Sequence, residues 1–227
     1  MKRFKKEILT VSSVILFVLI LDQVFKIWIK STFQYTDPSI PILGDWFVLN
    51  YVENQGMAFG TTLGSGAWGK LLLSLFRIVA IGAIVYYLIK QIKDGARLEF
   101  LIVIGLILAG ATGNLIDSMF YDYIFEFDPC LSFNQLEGSG NFGECVYFEG
   151  YSETVELRNT GFLYGNVVDM FQFRATWPSW VPWLGESEVF PAIWNVADAS
   201  ISVGVVMVLL RQKKYFPKEN TEEPTEK

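Results

Sequence analysis

Residues 189–210 read VFPAIWNVADASISVGVVMVLL, a stretch long and apolar enough to cross a bilayer that nevertheless carries an aspartate, Asp198. The hydrocarbon core takes about 20 mostly apolar residues per helix, and an ionisable group inside such a segment is costly enough to mark a site. Three further stretches have the same character. Residues 8–30 open with ILTVSSVILFVLIL and then carry Asp22 and Lys26; 71–89 read LLLSLFRIVAIGAIVYYLI, interrupted by Arg77; 100–120 contain FLIVIGLILAGATGNLI. The expectation is an all-α membrane protein of four transmembrane helices, one domain over 1–214. The tail, 215–227, is charged and apolar-poor, and is read as disordered and cytoplasmic.

Composition agrees. The 227 residues are 52 % hydrophobic and 16 % aromatic, with a formal charge of −6 and no histidine. Without histidine there is no Ser–His or Cys–His nucleophile, no HExxH zinc site and no imidazole proton shuttle. Catalysis must run on carboxylates, lysine, hydroxyls or backbone dipoles. A nucleic-acid partner would call for a basic patch, and the total is acidic.

Orientation follows from lysine and arginine in the flanks. Lys2, Arg3, Lys5 and Lys6 precede the first span, Lys90, Lys93 and Arg97 lie between the second and third, and Arg211, Lys213 and Lys214 follow the fourth. Residues 31–67 hold no Lys or Arg, and 121–188 hold Arg158 and Arg174 against eleven acids. Both termini are therefore expected in the cytoplasm and the two larger loops outside. Residues 45–54 (DWFVLNYVEN) have strand character, and Trp177, Trp180 and Trp183 read as an interfacial patch. Cys130 and Cys145 sit in an exported loop, where a disulfide is permitted and two free thiols are the alternative.

The polar residues of the spans share a depth. At about 1.5 Å per residue, Asp22 lies roughly 12 Å below the outer end of its helix, Arg77 about 9 Å inside its own, and Asp198 about 13 Å. Asn114 and Asp117 are three apart, as are Asn195 and Asp198, so each amide shares a face with its carboxylate. Asp22 and Lys26 are four apart and can neutralise each other; helix glue is preferred for them over a catalytic role. Arg77 reads either as a snorkelling residue or as the brace of a buried carboxylate. Asp169, in GNVVDMF, is one more loop acid unless it enters the cavity of Asp198. Two close carboxylates would then share a proton, one acting as general base on water and the other as acid.

These pieces resemble a known family. LDQVFK at 21–26, NQGMAFG at 54–60, GNLID at 113–117, GNVVDM at 165–170 and FPAIWNVADASI at 190–201 occur in the order found in the lipoprotein signal peptidases (signal peptidase II), aspartic proteases of the bacterial cytoplasmic (inner) membrane. The resemblance implies cleavage of the signal peptide from a diacylglyceryl-modified prolipoprotein, just before the lipidated cysteine. It implies Asp169 and Asp198 as catalytic pair, facing the outer leaflet. Asn54 and Gly56 would bind substrate, and Asn114, Asp117 and Asn195 would support the site. It also implies a small β-cradle on the outer face, a monomeric enzyme in contact with membrane lipid, and no cofactor or metal.

The chain departs from the family pattern twice. Ser118 stands where the family usually has arginine after GNLID, a charge that Arg77 can supply from the neighbouring helix. Asp117 and Asp169 are 52 residues apart, the spacer being lengthened by an acidic insertion at 122–164. The rival readings are a small proton-coupled transporter or channel, a membrane scaffold, and a Ser–Lys enzyme using Lys26. The last is weakened by Asp22, which keeps Lys26 charged.

Overall fold

The computed structural model describes residues 2–34, 37–54, 67–148 and 150–216. Among the described residues, three helices are long and apolar enough to cross a membrane: α1 (Lys2–Thr32), α2 (Ala67–Lys93) and α3 (Leu98–Ile124). Each outruns its sequence-read span: α1 and α2 run on through flanking lysines and arginines, which are good helix formers, and α3 through Leu98, Glu99 and residues 121–124. α1 and α2 turn apolar side chains outward, among them Leu9, Phe17, Phe76 and Val79, whereas α3 is the buried central helix. Its N-terminal half packs Phe100, Leu101, Ile104 and Leu108 against Val11, Leu88 and Ile92.

The segment at 189–210 departs from expectation. α4 occupies only Val196–Leu210, which at about 22 Å falls short of the hydrocarbon thickness of about 30 Å. Pro191 offers no backbone N–H, and Ile193–Trp194 forms strand β6. Asn195 then caps the helix: its side chain accepts the Asp198 N–H at 2.9 Å, and Asp198 Oδ2 accepts the Asn195 N–H at 3.4 Å. Asp198 is thus in the first turn of a short helix, not deep inside a long one. Asn195 precedes the helix, so the two do not share a helical face as their spacing suggested.

The strands β1 (Ile40–Leu43), β2 (Phe47–Asn54), β5 (Val167–Phe173) and β6 form an antiparallel sheet in the order β1-β2-β5-β6. β2 confirms the strand character of 45–54. Val52 pairs with Asp169, which places Asn54 diagonally beside Asp169 on one face. Aromatic rings pack along the sheet, Phe47 stacked on Phe173 and Phe171 tilted against Trp194, with centroids 5.0 Å apart in both pairs. Trp180 and Trp183 are exposed in the following loop.

Within the insertion, β3 (Asn141–Phe148) and β4 (Tyr151–Leu157) make a separate hairpin, and a disulfide joins Cys130 to Cys145 with Cα atoms 4.9 Å apart. α3 runs on to Ile124, so the insertion leaves the helix later than the sequence suggested. Arg158 ties it down. Its guanidinium donates to both Asp122 oxygens, at 3.0 and 2.8 Å, to Asn134 Oδ1 at 2.9 Å and to the Tyr164 carbonyl at 3.1 Å. Tyr215, assigned by sequence to the tail, closes a short helix α5 (Gln212–Tyr215) and stacks on Phe100 at 4.7 Å; 217–227 lie outside the described residues.

Candidate active site

Two glycines of α3 let the other helices approach. A Cβ at Gly110 would strike the Ala197 carbonyl, and one at Gly113 would lie 2.6 Å from Asp22 Oδ2. The polar faces of α1, α3 and α4 therefore meet where β5 arrives. Lys26, fully buried, is held by Asp22 at 3.0 Å, Asp117 at 2.8 Å and Asn114 Oδ1 at 2.8 Å. Asp22 Oδ1 also accepts the Ala197 N–H at 2.8 Å, which fastens α1 to the start of α4. The Asp22–Lys26 pair is structural glue in this sense, yet it reaches the site through Asn114.

Amides carry the connection outward. Asn114 Nδ2 donates to Asp198 Oδ1 at 2.8 Å. Asn195 Nδ2 donates to Asp169 Oδ1 at 2.7 Å and to Asn114 Oδ1 at 3.1 Å. Asn54 donates to Asp169 Oδ2. Asp169 and Asp198 both line a cavity of about 1010 Å³, together with Asn54, Arg77 and Asn114 and an apolar wall that includes Phe173, Trp194 and Ile201. Burial pushes the Asp169 carboxyl well above the usual range, and the charge of Asp198 adds to the push; the Lys26 charge opposes it. A buried acid that keeps its proton beside a second carboxylate can donate one hydrogen bond while its neighbour accepts another.

Of the sequence-read residues, Asp22, Lys26, Asn54, Arg77, Asn114, Asp117, Asp169, Asn195 and Asp198 converge here; Gly56 lies outside the described residues. Three participants were missed. Gln23 donates to Asp117 Oδ1 at 2.9 Å, and Tyr121 donates to Gln23 Oε1 at 3.2 Å. Lys70 reaches Ser118 Oγ at 3.0 Å, from which Arg77 is 3.5 Å away. Tyr121 was legible, four residues after Asp117 on one face. Nothing in the sequence signals Lys70, since a lysine near a helix start is usually solvated.

Three long apolar helices, a short fourth and a carboxylate-lined chamber at their junction with a sheet define an integral membrane protein built to hold chemistry within its helix bundle. The chain belongs to the signal peptidase II family: residues 14–213 match the family described as Signal peptidase (SPase) II. It is 38 % identical over 235 residues to the lipoprotein signal peptidase of Porphyromonas gingivalis (strain ATCC BAA-308 / W83), covering 96 % of this chain and 94 % of that protein. It is 30 % identical to that of Amoebophilus asiaticus (strain 5a2), covering 92 % and 79 %. A bacterial membrane enzyme solved by the in meso method at 2.3 Å shares the fold, with TM-score 0.56 and 24 % identity over 94 % of both chains. The transporter reading finds no support in these relatives.

Proposed function

We propose that the chain is an aspartic endopeptidase of the bacterial cytoplasmic membrane. It removes signal peptides from prolipoproteins whose cysteine carries diacylglyceryl, cutting before that cysteine. The observation that carries this reading is the shared cavity. Asp169 and Asp198 line one chamber, linked by Asn114 and Asn195, beside an apolar wall suited to a lipid-modified peptide. One proton on the pair leaves a base to activate water and an acid to protonate the scissile carbonyl oxygen. Asn54 orients the substrate, a role Gly56 shares by family resemblance. α4 serves as the fourth span, both termini are cytoplasmic, and the chamber faces the outer leaflet of a monomeric enzyme.

The test is purified protein with a diacylglyceryl-modified prolipoprotein, scored by release of the signal peptide. Asp169→Asn and Asp198→Asn are each expected to lower the rate by at least about 10²–10⁴-fold, and the double variant by little more. Robust cleavage by either single variant overturns the pairing.

A further inference from the structure

The insertion between α3 and β5 is held more firmly than a spacer needs to be. It leaves α3 at Ile124, about two turns past Asp117, and returns into β5, whose third residue is Asp169. Arg158 latches its base to Asp122. The Ser74 hydroxyl donates to the Leu163 carbonyl at 2.8 Å, and the Gly165 N–H to the Ser118 carbonyl at 3.0 Å. Phe133 meets Tyr51 of β2 edge-on at 6.4 Å. A two-stranded hairpin alone is marginal in water. Here the Cys130–Cys145 disulfide pins β3, and Glu156 of β4 accepts the Gly138 and Gly140 N–H groups at 2.8 and 2.7 Å. The result is a rigid surface carried on the same frame as the chamber.

Alternate residues of a strand share a face. Phe142, Glu144 and Val146 of β3 lie opposite Glu156, Thr154 and Ser152 of β4, while Cys145, on the other face, is fully buried. The outward face thus carries Phe142 and Val146, 70 % and 61 % exposed, on either side of Glu144. At the tip Phe148 stacks on Tyr151 at 5.3 Å, with Tyr147 beside it, all three exposed. An exposed apolar patch of this kind marks a binding surface, and charge narrows the occupant. Residues 122–164 hold eight acids and one base, Arg158, which is buried and paired. Aromatic faces and carboxylates with no exposed cation suit a chain that bears lysine or arginine. A second copy would set the same carboxylates against each other, and anionic headgroups would be repelled. The disulfide belongs to an oxidising, exported compartment, where the chain present at every turnover is the part of the substrate beyond the lipidated cysteine. We propose that the outward face of the β3–β4 hairpin binds this exported, lysine- or arginine-bearing stretch of the prolipoprotein, and so lowers KM without touching the reacting bond. This rests on the activity proposed above.

The experiment compares signal-peptide release from three diacylglyceryl-modified substrates. One ends two residues past the cysteine, within about 7 Å of it. The other two run on far enough to span up to about 70 Å, one bearing lysines and the other serines in their place. The long lysine substrate is expected to show a KM about fivefold or more below the other two, an advantage that shrinks as salt screens it. Phe142→Ser with Phe148→Ser, and separately Glu144→Lys, are expected to erase most of that advantage while the short substrate keeps the parent's kcat and KM. With benzoylphenylalanine in place of Phe148, irradiation in phosphatidylethanolamine–phosphatidylglycerol vesicles is expected to join the enzyme to the long lysine substrate. Equal KM for the three substrates, or an advantage that survives both variants, overturns the proposal. Cross-linking to lipid or to a second enzyme copy instead of the substrate overturns it as well. If the parent releases no signal peptide from any of the three, the activity itself is refuted, a result distinct from the others.

Discussion

Lys26→Met is the perturbation that reads the buried cluster most directly. Lys26 has no exposed surface and makes three polar contacts at 2.8–3.0 Å, two with carboxylates and one with Asn114. Methionine fills a similar volume without the charge, so the loss is electrostatic and not a cavity. Two facing carboxylates remain, with Gln23 donating to Asp117 and the Ala197 N–H to Asp22. Removing one partner of a buried ion pair costs about 3–5 kcal/mol, because the remaining charge is left uncompensated. For a chain of this length that is a fall in Tm of about 6–20 °C.

Asp22→Asn supplies the contrast. It leaves Lys26 paired with Asp117 at 2.8 Å, and asparagine still offers an oxygen to the Ala197 N–H. Its expected cost is therefore smaller than that of Lys26→Met. The double variant should be more stable than Lys26→Met alone, since only one carboxylate is then unpaired; a coupling of about 0.5–3 kcal/mol is expected for groups in contact. The assay is thermal unfolding of the purified protein in detergent, with signal-peptide release measured alongside. A Lys26→Met variant within about 1 kcal/mol of the parent, or a double variant less stable than it, would refute the picture of a charge-balanced core.

Arg158→Leu should release the insertion from the end of α3, at a local cost of about 3–5 kcal/mol; limited proteolysis within 125–164 is expected to speed up while α1–α4 stay protected, and unchanged protection would contradict the latch. Replacing Cys130 and Cys145 by serine removes about 3 kcal/mol of local loop constraint, so cutting within the hairpin should quicken and signal-peptide release should stay within about twofold of the parent. Asp169→Asn should alter stability with pH in a set direction. At low pH the carboxyl is protonated folded and unfolded; as pH rises past about 3.9 the unfolded chain ionises while the folded one keeps its proton. The parent therefore loses stability relative to Asp169→Asn until the raised folded pKa is passed. A Tm gap between the two that stays constant from pH 4 to 7 would contradict the protonated Asp169.

Charge and periodicity are local signals, and they were enough for α1, α2 and α3. The same signals misjudged 189–210, because an apolar run does not tell a helix from an edge strand. The correcting information was present locally: Pro191 resists the interior of a helix, and Asn195 followed three residues later by an acid is a capping pattern. Asp169 is a different case. Its stretch reads as apolar with one acid, and only pairing with β2, more than a hundred residues earlier, places it beside Asn54. No local pattern encodes that register.

The same contrast explains where the site lies. A carboxylate in the middle of a membrane helix has few partners, since the backbone around it is already satisfied. Helix ends and strand edges keep backbone N–H groups to spare. Here the Ala197 and Asn195 N–H groups turn to Asp22 and Asp198, and β5 brings Asp169 to the same point. The interruption of 189–210, which shortens the expected fourth helix, is therefore what supplies the donors that the acids need. An uninterrupted fourth helix would carry Asp198 at the same sequence position but without its capping contacts. Its N-terminal turn would be displaced from the sheet, and the two acids would no longer share a chamber.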